Sequence, residues 1–164
     1  MSSLDEGFSY VAAADAKVLI LGSMPGQASL EAQQYYAHPR NAFWPIMQEL
    51  FGIDAKLAYQ QRLEALVENN IALWDVVASC ERPGSLDSAI VGDSILVNNF
   101  AAFYQTHPQV AAVFCNGGKA YELYSRHVTD KGQLVTKLPS TSPAHASMSF
   151  AEKLECWSAV REAL

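Results

Sequence analysis

Between Gly22 and Trp44 this chain gathers residue types that handle a planar, polar ligand. The apolar run Val18-Leu19-Ile20-Leu21 breaks at Gly22-Ser23-Met24-Pro25-Gly26, and a short spacer leads to Tyr36-Ala37-His38-Pro39-Arg40-Asn41-Ala42-Phe43-Trp44. A glycine and proline turn continues neither a strand nor a helix, so polar groups collect where the apolar run ends. The Asn41 carboxamide is no base at neutral pH, so it can orient a water molecule but not deprotonate it. Its plainer reading is a cap for a helix beginning at Ala42, worth about 1 kcal/mol. Tyr36 offers an aromatic face to a planar ring, or is an ordinary core tyrosine. His38 lines a pocket or is a hydrogen-bonded structural histidine. Asp75 ends a second apolar run after Trp74, where a carboxylate is desolvated unless paired; it either meets a ring N–H or a water, or pairs with a structural partner such as Arg82. Phe43 and Trp44 read as core.

Strand and helix signals alternate around these residues. Apolar, β-branched segments at 18–21, 71–77, 110–115 and 134–138 predict strands. The stretches between them predict helices, and this alternation is the pattern of a parallel sheet covered on both faces. Asn41 is placed to cap a helix ending before Gly52, and Asp54 a second one ended by Asn69-Asn70. Asn98 or Asn99 starts a third that runs to Gln105, and Gly117-Gly118 opens a fourth through His127. Ser149 with Glu152 three residues on makes a capping box for the last. If the strands are parallel, their carboxyl ends put the Gly22-Gly26 turn, Trp74-Asp75, Asn116-Gly117-Gly118 and Pro139-Ser140-Thr141-Ser142-Pro143-Ala144-His145 on one edge. Open α/β sheets bind ligands at that edge.

Composition narrows the classes. A chain of 164 residues, half of them hydrophobic, fits one domain and can bury roughly 70% of its unfolded surface. Cys80, Cys115 and Cys156 are an odd number, widely spaced and without a C-x-x-C pair, which argues against a structural zinc, a disulfide framework or an iron-sulfur cluster. With no apolar leader and no bilayer-length run, the sequence predicts a soluble, cytoplasmic protein. The net charge of −6 counts against coating nucleic acid through bulk electrostatics, so any DNA contact must be local. The Gly22-Gly26 turn matches neither the P-loop, nor the dinucleotide fingerprint, nor the nucleophile elbow of hydrolases.

Taken with the turn, Tyr36 through Trp44 resembles the first motif of the uracil-DNA glycosylase superfamily, and most closely its hypoxanthine-DNA glycosylase branch, near the mismatch-specific uracil and thymine enzymes. The resemblance extends through Leu73-Trp74-Asp75-Val76, the stretch from Ser79 to Ser88, Phe114-Cys115-Asn116-Gly117 and Leu138-Pro139-Ser140-Thr141-Ser142-Pro143-Ala144, in order and over most of the chain. It implies a three-layer α/β/α sandwich with a four-stranded, mostly parallel central sheet, and hydrolysis of an N-glycosidic bond to a deaminated base in double-stranded DNA. Gly22, Met24, Pro25, Tyr36, His38 and Asn116 would then shape the base pocket. The loop carrying Ser140, Thr141, Ser142, Pro143 and His145 would enter the minor groove, with Arg40 and Lys119 as further DNA contacts. Stiff proline loops and tight strand-to-helix turns also occur without any ligand.

One departure bears on mechanism. Where the superfamily places an aspartate or asparagine in the first turn, this chain has Ser23, whose short hydroxyl positions water weakly. In the hypoxanthine branch the catalytic role goes to the asparagine of the His-Pro-x-Asn run, here Asn41, with Asp75 as the competing candidate. With no strong base, the bond must break largely before attack, through an oxocarbenium-like sugar, and catalysis rests on stabilising the departing purine anion, where one donor is worth roughly 3 kcal/mol. No metal or organic cofactor is implied, and no matched lysine serves as an imine-forming nucleophile. A uracil or mismatch glycosylase of the same fold and a non-catalytic damage-binding module are the alternatives; a nucleoside hydrolase is more distant.

Overall fold

In the computed structural model, which describes residues 4–85, 90–128 and 132–164, four strands form a parallel sheet in the order β3-β2-β6-β7. They are β2 (Val18–Gly22), β3 (Ile71–Asp75), β6 (Ala112–Asn116) and β7 (Leu134–Leu138). All five residues of β2 are buried, because it lies between two strands and beneath helices on both faces. The side-chain period of two then divides its residues between two cores. Val18 and Ile20 pack with α2 (Phe43–Phe51), α3 (Tyr59–Glu68) and α6 (Phe150–Glu162), while Leu19 and Leu21 pack with α4 (Phe100–Thr106) and α5 (Gly118–His127). The result is an α/β fold in three layers, as expected. Each fully buried Leu or Ile contributes about 2 kcal/mol of transfer free energy to it.

The helix boundaries follow local chemistry in most places. The hydroxyl of Ser149 accepts from Glu152 N–H (3.2 Å) and the Glu152 carboxylate accepts from Ser149 N–H (3.0 Å), completing the predicted capping box of α6. Asn99 caps α4 by accepting from Ala102 N–H at 3.0 Å. Gly52 terminates α2, and Pro45 sits in that helix's first turn, where its missing N–H is no loss. Asp54, predicted to cap α3, does not: its carboxylate accepts from Lys56 N–H at 2.9 Å, closing a turn of its own, and α3 starts five residues later at Tyr59 with Ala58 as its N-cap. A short acidic side chain satisfies a local amide as readily as a helix end, and here the nearer amide prevails.

Two features differ from the expected strand plan. The segment 71–77 is not one strand: Val76 and Val77 donate to the carbonyls of Gly22 (2.8 Å) and Ser23 (3.1 Å), the chain turns away from the parallel sheet, and β4 (Val77–Glu81) begins. Strand β4 pairs antiparallel with β1 (Leu4–Glu6) and β5 (Leu96–Val97), forming a second sheet of three strands. The residues between the Gly22-Gly26 turn and Tyr36 hold a further short helix, α1 (Gln27–Ala32). Among the described residues no helix is long and apolar enough to cross a membrane.

Candidate active site

A cleft of about 620 Å³ opens at the carboxyl edge of the parallel sheet. Gly22, Asp75, Asn116 and the loop after β7 all face it, as the parallel arrangement requires. Ser23, Met24, Pro25, Tyr36, His38, Asn41, Lys119, Ser140, Thr141, Ser142, Pro143 and His145 line it as well. Arg40 does not. It is exposed and borders a neighbouring recess that shares Asn41 with the cleft.

The floor is built from Gly22, Asp75 and Tyr36. Register pairs Gly22 with Asp75 across β2 and β3, and a Cβ added to Gly22 would lie 2.5 Å from Asp75 Oδ1 and 3.5 Å from Tyr36 Oη. Only glycine lets the buried carboxylate and the phenol come this close. Tyr36 holds φ +57°, a left-handed conformation that costs a non-glycine residue of order 1 kcal/mol and recurs at functional sites. Its ring stacks on Phe43, with centroids 4.1 Å apart and planes 21° apart. Tyr36 Oη is enclosed and, among the described residues, makes no hydrogen bond of good geometry. Burial first, and the Asp75 carboxylate second, push the phenol pKa above its ordinary value, so it stays a neutral hydroxyl with a proton to donate.

The His38 to Asn41 segment is a tight turn held by its own polar groups. His38 carbonyl accepts from Asn41 N–H at 2.9 Å, and His38 Nδ1 accepts from Arg40 N–H at 3.0 Å, which leaves Nε2 as the N–H of the ring. Asn41 Oδ1 accepts from Phe43 N–H at 2.9 Å. The helix proper starts at Phe43 with Ala42 as N-cap, so Asn41, expected as the cap, stands one residue before it yet still satisfies a first-turn amide. Among the described residues this is the one hydrogen bond of the Asn41 side-chain amide, so a lone pair of Oδ1 and the Nδ2 amine can meet a water or ligand.

Asn116 and Thr141 join the two halves of the site. Asn116 Nδ2 donates to Thr141 Oγ1 and Asn116 Oδ1 accepts from Thr141 N–H, both at 2.9 Å. Thr141 carbonyl in turn accepts from Ala42 N–H at 2.9 Å, tying the last loop to the residue beside Asn41. Thr141 is only 1% exposed, so its hydroxyl is spent inside the protein and is not presented to a phosphate. Asn116 reaches the cleft wall with most of its amide already committed. Ser140 and Ser142 hydroxyls accept from Ser142 and Ala144 N–H, and His145 Nε2 is enclosed with no hydrogen-bond partner among the described residues. Gly117, at φ +96°, turns β6 into α5 where a Cβ would meet Ser140 Cβ at 3.1 Å.

Three supports have no local sequence signal. The buried Arg82 guanidinium, suggested by sequence as a partner for Asp75, bonds Asp5 at 3.0 Å and donates to the Pro25 carbonyl, fixing the outer end of the Gly22-Gly26 turn. Trp157 Nε1 donates to Pro139 carbonyl (2.9 Å) and Lys153 Nζ to His145 carbonyl (2.8 Å), so α6 clamps both ends of the last loop. Among the described residues no three His, Cys, Asp or Glu side chains group in a way that could hold a metal ion.

The fold whose sheet edge carries this cleft is shared with known proteins. Residues 8–161 match the family model described as the uracil DNA glycosylase superfamily, and the chain belongs to that superfamily. It is a DNA glycosylase. Two curated relatives bear the name hypoxanthine DNA glycosylase: one from Methanosarcina acetivorans is 35% identical over 158 residues, covering 96% of this chain and 98% of the relative, and one from Methanosarcina barkeri is 40% identical over 118 residues, covering 71% and 73%. A solution NMR structure of a candidate uracil DNA glycosylase from Methanosarcina acetivorans superposes with a TM-score of 0.84 at 34% identity, covering 98% of both chains.

Proposed function

We propose that this protein, with residues 1–164 as one glycosylase domain, excises hypoxanthine from deoxyinosine in double-stranded DNA and leaves an abasic site. The observation that carries the reading is the joining of Asn41, Asp75 and Tyr36 at one enclosed cleft in a chain whose curated relatives carry that activity in their names. A base stacked inside a duplex cannot enter a cleft in the protein, so the nucleotide is extruded, which is easiest at a mispair such as inosine opposite thymine. Tyr36, backed by Phe43, gives the base a rigid planar surface, and its neutral hydroxyl is a donor at the cleft floor. The C1′–N9 bond breaks with its electron pair leaving on the base. Donors around the ring stabilise the anion, and a water held by Asn41 adds to C1′ and releases its proton to Asp75 or bulk solvent. Ser23 shapes the turn and contributes only weakly to holding water. Pro143, His145 and Lys119 face the strand that carries the lesion.

Duplexes containing inosine, uracil or xanthine opposite each base, treated with alkali after incubation, test this with the wild type and with Asn41→Ala, Asp75→Ala and Ser23→Ala. Asn41→Ala is expected to lose most of its single-turnover rate, on the order of 100-fold, while still binding abasic DNA. Full activity with lowered thermal stability would make Asn41 a helix support and nothing more. A second reading, uracil as preferred substrate, is favoured by the description of the superposed NMR structure; uracil released much faster than hypoxanthine from matched duplexes would establish it.

A further inference from the structure

Beside the cleft, on the other side of Asn41, lies a recess of about 260 Å³ between the His38-Asn41 turn and the start of α6. Arg40, Asn41, Met148, Phe150 and Lys153 border it. Lys153 is 5% exposed. Its ammonium makes one hydrogen bond, to His145 carbonyl at 2.8 Å, and forms no ion pair among the described residues. Burying an ammonium without a carboxylate destabilises a fold. Arg40, exposed at the mouth, adds a second cation that forms no ion pair among the described residues. The nearest acid in sequence, Glu152, is committed to the capping box with Ser149.

We infer that this recess is a subsite for one DNA backbone phosphate next to the extruded nucleotide, held by Lys153 and Arg40. The inference rests on the glycosylase reading for the identity of the polymer, and on the recess itself for the chemistry. Asn41 is common to the cleft and the recess, so a group seated in the recess adjoins the sugar whose bond is cut, and in DNA the neighbour of that sugar is a phosphodiester. The remaining Lys153 N–H groups supply charge-assisted donors, Arg40 supplies a planar fork, and Met148 and Phe150 form an apolar wall against which a deoxyribose can lie. Burial holds the Lys153 ammonium below the usual lysine pKa, a cost that a bound phosphate offsets. Because the same ammonium holds His145 carbonyl, filling the recess also steadies the loop that enters the groove.

The test is a binding scan on a short deoxyinosine duplex in which each phosphate around the lesion is replaced, one at a time, by a neutral methylphosphonate. Wild type is expected to lose about tenfold in affinity at one flanking position, the scale of a single charge-assisted contact. Lys153→Gln should show no further loss at that position, and its log-log salt slope should be shallower by about 0.9, with Lys153→Arg restoring both. Arg40→Gln, at an exposed site that does not threaten folding, should shrink the same penalty. An undiminished penalty in Lys153→Gln and Arg40→Gln, or a wild type indifferent to every neutral linkage, overturns the subsite. Base release is scored separately: hypoxanthine freed with the penalty unchanged sinks the subsite alone, while the phosphate pattern without base release from any duplex sinks the glycosylase reading alone.

Discussion

Replacing Asn116 by alanine separates a structural amide from a ligand-binding one. The side chain bonds Thr141 twice, at 2.9 Å each, and Thr141 is 1% exposed, so no water replaces the lost partner at its N–H. Two hydrogen bonds of about 1 kcal/mol each, with the added cost of a buried unsatisfied amide, bring the expected destabilisation to about 3 kcal/mol. For a chain of this size that is a fall in Tm of roughly 6–12 °C, readable by circular dichroism and checked by urea denaturation with an unchanged m-value. Thr141→Val keeps the N–H and removes only the hydroxyl, so it should cost about 1 kcal/mol. The double variant should cost less than the sum of the two by about 1 kcal/mol, because both changes remove the same contact. Activity should fall too, through displacement of Ala42 and hence of Asn41. An Asn116→Ala protein with wild-type stability but no base release would refute this reasoning and make Asn116 a group that contacts the base.

Two further outcomes follow from the same geometry. Gly22→Ala drives a methyl group to 2.5 Å from Asp75 Oδ1, so it should destabilise by about 1–3 kcal/mol and depress base release; urea curves and activity both matching wild type would show that Asp75 swings aside freely. Burial pushes the Cys115 thiol from 9.0 up to about 12, while the unfolded thiol titrates near 9. The folded pKa is the higher one, so the stability is complete below pH 9 and is lost as pH rises toward 12, at about 1.4 kcal/mol per pH unit for one proton. Cys115→Ala should therefore flatten the pH dependence of urea unfolding between pH 9 and 10, leaving the smaller part that Tyr35 and Tyr36, both raised by burial, add as the pH approaches 10. An unaltered slope would assign the alkaline loss to other groups.

The amino-acid sequence by itself determined whatever depends on neighbours within a turn or two. Val18 to Leu21 has one apolar residue at every position and so must be covered on both faces; Ser149 with Glu152, Asn99 and Gly52 mark helix ends through bonds spanning a few residues. Once the strands are parallel, their carboxyl ends bring Gly22, Asp75, Asn116 and the Pro139 loop to one edge, which is why most of the candidate site could be located without coordinates. Asp54 misled because the amide it satisfies is closer than the helix it was expected to cap, and 71–77 misled because an apolar run carries no mark where its hydrogen bonds change sheets. Only the tertiary structure decided how the site is held. Asn116 and Thr141 lie 25 residues apart, Arg82 and Asp5 77 apart, and Lys153 turns a buried ammonium toward His145 and the recess beside Asn41. Such pairings have no periodicity or local propensity to announce them. They exist because folding removes water from polar groups that are distant along the chain, and each must then find its partner in whatever the packing has brought beside it.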